Sequence, residues 1–150
     1  MRFRNAFGLG FLAITSVGYA TSAPDAKTFI QSIQASYSIV SAGGSAPHPD
    51  NAVADVYADT DEGAFTMPYC PPGGASCDPG YLFFPYDKTA ITQSKLADGS
   101  LQTVLAVDDG VTKKFTWTDK NGTVTFSNPQ YMLDKKITVL EHVLTKVATQ

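Results

Sequence analysis

Residues 89–126 read TAITQSKLADGSLQTVLAVDDGVTKKFTWTDKNGTVTF. Three dipeptides punctuate this stretch: Asp98-Gly99, Asp109-Gly110 and Asn121-Gly122. Aspartate or asparagine before glycine suits hairpin turns, whose backbone needs a positive φ that glycine adopts without steric cost. The turn signals recur at intervals of 11 and 12 residues. Segments 90–96, 101–107, 112–118 and 123–126 lie around them and have the length of strands, so the stretch predicts an antiparallel meander. Side chains alternate sides along a strand. Phe115 and Trp117 therefore share one face, as do Val124 and Phe126, with Lys114, Thr116 and Thr118 opposite. One face of the sheet is buried and the other wet.

Downstream, residues 131–147 carry two patterns. Ile137, Leu140, Leu144 and Val147 fit a helix, whereas Ile137, Val139, Val143 and Val147 fit one side of a strand with Leu140, His142 and Leu144 on the other. The β-branched residues Ile137, Thr138, Val139, Val143, Thr145 and Val147 favour a long final strand, preceded by a turn at Asp134-Lys135. Upstream, residues 52–58 and 64–68 read as strands around the acidic turn Asp59-Thr60-Asp61-Glu62-Gly63. A calcium loop fails there on spacing: glycine stands fifth, and Cys70 occupies the place of the bidentate glutamate. Further upstream, Phe29, Ile30, Ile33, Tyr37 and Val40 recur at spacings of three and four, which predicts an amphipathic helix over 24–40 closed by Gly43-Gly44. The expected fold is α+β and mostly β, with one N-terminal helix packed on a curved antiparallel meander or small barrel of seven to eight strands.

Residues 67–86, MPYCPPGGASCDPGYLFFPY, hold both cysteines, five of the nine prolines, three glycines and five aromatics. Cys70 and Cys77 are read as a structural disulfide that closes a short loop already stiffened by Pro71 and Pro72. A zinc site needs four ligands, which two cysteines and two distant histidines do not assemble, and the spacing is not that of a Cys-x-x-Cys redox pair. The run 81–84 is bounded by Asp78-Pro79-Gly80 and Pro85 and reads as a strand. Phe83 and Phe84 point to opposite faces of it. Tyr69, Tyr81, Phe84 and Tyr86, with Trp117, are the candidate ligand-binding or partner-binding residues, while burial in the core is the simpler account of such strand aromatics.

The N-terminus reads as a cleaved signal peptide over 1–23, leaving 24–150 as a single globular domain. Arg2 and Arg4 start it, residues 7–17 are apolar, and small residues follow at Gly18-Tyr19-Ala20 and Thr21-Ser22-Ala23. Of the chain's 11 basic residues these two arginines would be lost, leaving 9 against 14 acidic ones and a net charge of −5. That balance disfavours nucleic acid and anionic membrane surfaces as partners, and no later apolar run approaches a membrane span. A secreted or periplasmic location is expected, where the two cysteines would pair.

Phosphate-loop, dinucleotide, HExxH and GxSxG patterns are missing from the sequence. The sequence thus implies no cofactor and no resident metal. Asn121-Gly122-Thr123 matches a glycosylation sequon, but the hairpin accounts for the same residues. His48, between two prolines, and His142 form a candidate acid-base pair, with Glu141 or Asp50 as orienting carboxylate. Carboxylates for glycoside hydrolysis, drawn from Asp55, Asp59, Asp61 and Glu62, make a weaker case, since surface turns collect such residues. The leading expectation is a small exported, non-enzymatic binding or interaction protein. Its disulfide loop and neighbouring aromatics would meet a protein, or a small hydrophobic or sugar ligand. A cavity inside the curved sheet, lined by Phe115, Trp117 and Phe126, is the competing site. The alternatives are a small secreted hydrolase using His48 and His142, and a structural envelope subunit assembling through an open sheet edge.

Overall fold

The computed structural model describes residues 22–42, 51–69, 78–131 and 137–148. One helix, α1 (Ala26–Ile33), precedes nine strands: β1 (Ala35–Ala42), β2 (Val53–Ala58), β3 (Glu62–Tyr69), β4 (Asp78–Pro85), β5 (Thr89–Lys95), β6 (Leu101–Asp108), β7 (Thr112–Lys120), β8 (Thr123–Tyr131) and β9 (Ile137–Lys146). The meander expected from the three turn signals is present. Gly99, Gly110 and Gly122 all have positive φ, and Asn121 joins Gly122 there at φ 52, as a two-residue hairpin turn of that type requires. The last segment is a strand, pairing with β8 from Tyr131↔Ile137 to Thr123↔Thr145. The acidic segment is a hairpin turn in which the Asp59 carboxylate accepts the Asp61 and Glu62 amides.

Two expectations need correction. The helix ends at Ile33 rather than running to residue 40, and the strands among the described residues number nine rather than seven to eight. Both have one cause. Residues 35–42 read A-S-Y-S-I-V-S-A, in which Tyr37 and Ile39 are buried and Ser36, Ser38 and Val40 exposed. That two-residue alternation coexists with the three-and-four spacing of Phe29, Ile30, Ile33, Tyr37 and Val40. Pairing with β2 on one side and β9 on the other decides for the strand, because each ladder supplies hydrogen bonds that a lone helical turn cannot match. The helix start is conventional: Asp25 is the N-cap and accepts the Thr28 amide at 2.7 Å. Its end is tied down by the Tyr37 hydroxyl, which donates to the Ile33 carbonyl.

All nine strands form one antiparallel sheet in the order β4-β3-β2-β1-β9-β8-β7-β6-β5. The order is a meander with its ends joined: β1 sits beside β9, and the break falls between β4 and β5. Nine strands in strict alternation leave the first and last running the same way, so β4 and β5 are parallel. A parallel pair needs a crossover of a dozen or more residues, whereas only the short 3-10 turn Tyr86–Lys88 separates them. The chain therefore carries on from β4 into β5 around a corner, and the sheet curls nearly into a barrel with an open seam.

The interior shows the curl directly. Phe65 on β3 meets Trp117 on β7 at 5.8 Å between ring centroids and Phe126 on β8 at 5.2 Å. Phe84 on the β4 edge meets Phe115 on β7 at 4.9 Å. Such edge and tilted ring pairs each contribute roughly 0.5–1.5 kcal/mol beyond the area they bury. Helix α1 packs on β2, β3 and β5, and so bridges the seam at one end of the barrel. There Ile30 is fully buried against Gly63 of β3.

Candidate functional site

The expected binding aromatics do not form one surface. Phe84 and Trp117 are core residues at 0% and 3% exposure. Tyr86 is half-buried beside α1, its hydroxyl donating to the Asp59 carbonyl and its ring lying under the Lys27 ammonium. Tyr81 is exposed on β4, as is Phe83 two residues on, while Phe84 between Phe83 and Pro85 turns inward. Tyr69 closes β3, and its side chain lies outside the described residues, as do Cys70, Cys77 and the loop between them, His48, Asp50 and residues 1–21. The expected signal peptide, the disulfide and the His48 member of the histidine pair fall on those positions. Phe115, Trp117 and Phe126, named as cavity walls, instead fill the interior by packing on one another and on Phe65.

A cavity does exist, farther along the barrel. It holds about 120 Å³ and is lined by Met67, Pro68, Gly80, Tyr81, Leu82, Asn128 and His142. Met67 lies four residues beyond Gly63 on β3, a distance of about 13 Å along a strand, so the cavity is toward the end remote from the helix. Each element contributes by alternation. On β8 the inward positions are Val124, Phe126 and Asn128; on β9 they are Leu140, His142 and Leu144. The apolar members continue the core, and the polar ones fall where the ring cluster stops.

His142 is 3% exposed and Asn128 is 6% exposed. The imidazole hydrogen-bonds the backbone of Pro68 across the interior. Proline has no N–H, so this bond runs from the imidazole to the Pro68 carbonyl. By the alternation of the ladder that carbonyl points toward β2, and Pro68 stands past Asp55↔Thr66, the last pair of the β2–β3 ladder, which leaves it open to such a donor. Among the described residues no group meets His142 Nδ1, so Nε2 carries the donated proton. Burial pushes the His142 pKa below its ordinary value of 6.5, and the Pro68 bond opposes this only in part. The ring is neutral at pH 7, protonated on Nε2, with a bare lone pair on Nδ1.

An unmet buried acceptor is uncommon and costly in a folded chain. This one lines a cavity that carries no charged side chain among the described residues. The arrangement suits binding: a polar anchor set in an apolar wall of Met67, Pro68 and Leu82. No carboxylate among the described residues lines the cavity. Glu141 is exposed on the other face of β9, where its Oε1 accepts from the Ser127 hydroxyl at 3.4 Å. No three metal-ligating side chains cluster among the described residues, and among them no helix is long and apolar enough to cross a membrane.

No known family model, curated protein or solved structure matches this chain. Of the cavity's residues, sequence reading singled out Tyr81 and His142 but missed Asn128, Met67 and Leu82. Their alternation places them inward, yet only the register of β3 against β4 and the curl of the sheet bring them to one place.

Proposed function

We propose that this chain is a small exported, non-enzymatic binding protein that holds a small molecule in the cavity between β3–β4 and β8–β9. The observation that carries the reading is the buried, unmet Nδ1 of His142 on the wall of a cavity of about 120 Å³. A cavity of similar size in another protein, lined only by aliphatic and aromatic groups, takes up benzene. The export half of the reading rests on the N-terminal sequence pattern, and the contribution of the Cys70–Cys77 loop rests on spacing alone.

Native mass spectrometry of the protein purified from its own host tests the reading. Extra mass that leaves on gentle activation, and is absent from a His142→Leu/Asn128→Leu variant, supports it. A bare protein from the host, with no uptake of any small molecule from a fragment mixture, overturns it. The same spectrum reports cleavage near residue 23 and the mass change of a Cys70–Cys77 bond.

A second reading, assembly as an envelope subunit, is favoured by the seam. β4 is a sheet edge, and unpaired edges invite a further strand. Tyr81 and Phe83 stand exposed on it at 58% and 53%. Sedimentation velocity across a wide range of concentration separates the two: a monomer throughout removes the assembly reading.

A further inference from the structure

We infer that the cavity is selective for a small, neutral molecule with an apolar body and one hydroxyl donor, which His142 Nδ1 accepts. The inference rests on the binding reading above and names the chemistry of its ligand.

The argument begins with the tautomer. The Pro68 carbonyl can only accept, so it fixes the imidazole proton on Nε2. Nδ1 is then an acceptor without a donor among the described residues. A ligand that is itself only an acceptor would set two lone pairs against each other. An anion would do the same and would find no cationic side chain among the described residues of the cavity wall. A cation would find no carboxylate among the described residues of the wall to balance it, and desolvating an unpaired charge is far more costly than desolvating a hydroxyl. A neutral O–H group satisfies Nδ1, and Met67, Pro68 and Leu82 cover the rest of the molecule. The volume of about 120 Å³ suits a body of roughly one six-membered ring, by comparison with the benzene-sized cavity of about 150 Å³. Asn128, buried on the same wall, offers both a donor and an acceptor and so favours a hydroxyl, which uses both.

Phenol and toluene form the decisive pair of probes, since they differ by a hydroxyl in place of a methyl. Titrations of the full chain are followed by amide NMR shifts at Met67, Leu82, Asn128 and His142. Phenol should bind at least about tenfold more tightly than toluene, because toluene leaves a buried acceptor unpaired and each tenfold step needs only about 1.4 kcal/mol. In a His142→Phe variant the preference should fall below about twofold, while Asn128→Leu, which leaves Nδ1 in place, should retain a reduced preference. Long-range nitrogen correlations in the unsubstituted protein give a readout independent of any variant: they should report the Nε2-protonated tautomer, and Nδ1 should shift on adding phenol and stay put on adding toluene. Equal affinity for the two probes would overturn the hydroxyl assignment and leave the cavity as an apolar binding site. An Nδ1-protonated tautomer would overturn it as well. Failure of both probes to shift these amides, with a host-derived ligand still retained in the mass spectrum, would overturn the assignment alone. If no ligand is retained either, the binding reading falls with it.

Discussion

The two ends of this barrel solve the same problem in opposite ways. A curled sheet leaves an opening at each end, and its interior groups must meet something there. At the helix end the solution is apolar and tight: Ile30 fills the space over Gly63, and both sit among buried carbon. At the other end the ring cluster stops at Phe126, and the next inward residues are Asn128 and His142 beside an open volume of about 120 Å³. The difference teaches where stability and function are held. Close packing leaves no room for a guest, whereas a polar residue placed beside unfilled volume keeps a specific demand that the protein's own described residues leave unmet.

Substitutions at the helix end should therefore be the most damaging. Ile30→Ala should cost about 2–5 kcal/mol in denaturant unfolding, the range for emptying a fully buried aliphatic position. Gly63→Ala attacks the same contact from the other side. Its Cβ would run into Ile30 Cδ1 and lie 2.8 Å from Cγ2, and Ile30 is branched and fully enclosed, so about 1–3 kcal/mol should be lost. Combined, the two changes should cost clearly less than their sum, because the alanine methyl at 63 then enters space that Ile30 has vacated. Strict additivity would show that Gly63 is not specified by Ile30. Ligand uptake at the remote cavity should survive each of these changes wherever the protein stays folded.

At the cavity end the expected signature is a dependence on pH. The folded ring holds its proton less tightly than an unfolded histidine, whose pKa is near 6.5. Above that value neither state binds the proton and His142 adds no pH dependence. Below it the unfolded chain takes up a proton that the folded ring refuses, so stability falls as the solution is acidified, by at most about 1.4 kcal/mol per pH unit from this group. His142→Leu removes the titrating ring. It should cost little at pH 8 and flatten the profile between about pH 6.5 and 5, so that the variant gains on the parent as the pH drops. Parallel profiles for parent and variant would show that the ring titrates as freely folded as unfolded. Ligand should also be released on acidification, since protonation occupies the Nδ1 lone pair that the hydroxyl needs.

The same contrast explains what could be read from the chain. The meander was legible because its information is local: Asp98-Gly99, Asp109-Gly110 and Asn121-Gly122 specify turns through backbone geometry that a few residues fix. Alternation then assigned Phe115, Trp117, Val124 and Phe126 to the interior, where they lie. Residues 35–40 satisfied a helical and a strand period together, and only β2 and β9, from distant parts of the chain, decided between them. The cavity was less legible still. His142 depends on a carbonyl of Pro68, whose availability follows from where the β2–β3 ladder stops, at Asp55↔Thr66. Phe84 was a candidate for the binding surface and Trp117 for a cavity wall because aromatic residues serve a core and a binding face equally well, and the burial of either is set by the curl of the whole sheet.

The smallest effect expected concerns the way into α1, and it sharpens the contrast from the helix side. Asp25 is exposed, and its carboxylate accepts the Thr28 amide at 2.7 Å. That bond to the backbone holds its pKa below the usual carboxylate value of 3.8. The contribution is therefore present above the unfolded value of 3.8 and fades as the pH falls through the lowered folded value. Asp25→Asn keeps a capping oxygen and should be nearly neutral at pH 7, whereas Asp25→Ala should lower the unfolding midpoint slightly. At about pH 2 the gap between the parent and the Asp25→Ala variant should shrink, since the protonated acid accepts the amide less well. The exposed Lys88–Asp109 ion pair at 3.1 Å supplies the control, because breaking it with Asp109→Asn should change stability no more than a screened surface contact does. If Asp25→Ala matched Ile30→Ala in cost, the helix end would be held by its cap rather than by the packing of Ile30 on Gly63, and the division between a packed end and a receptive end would have to be redrawn.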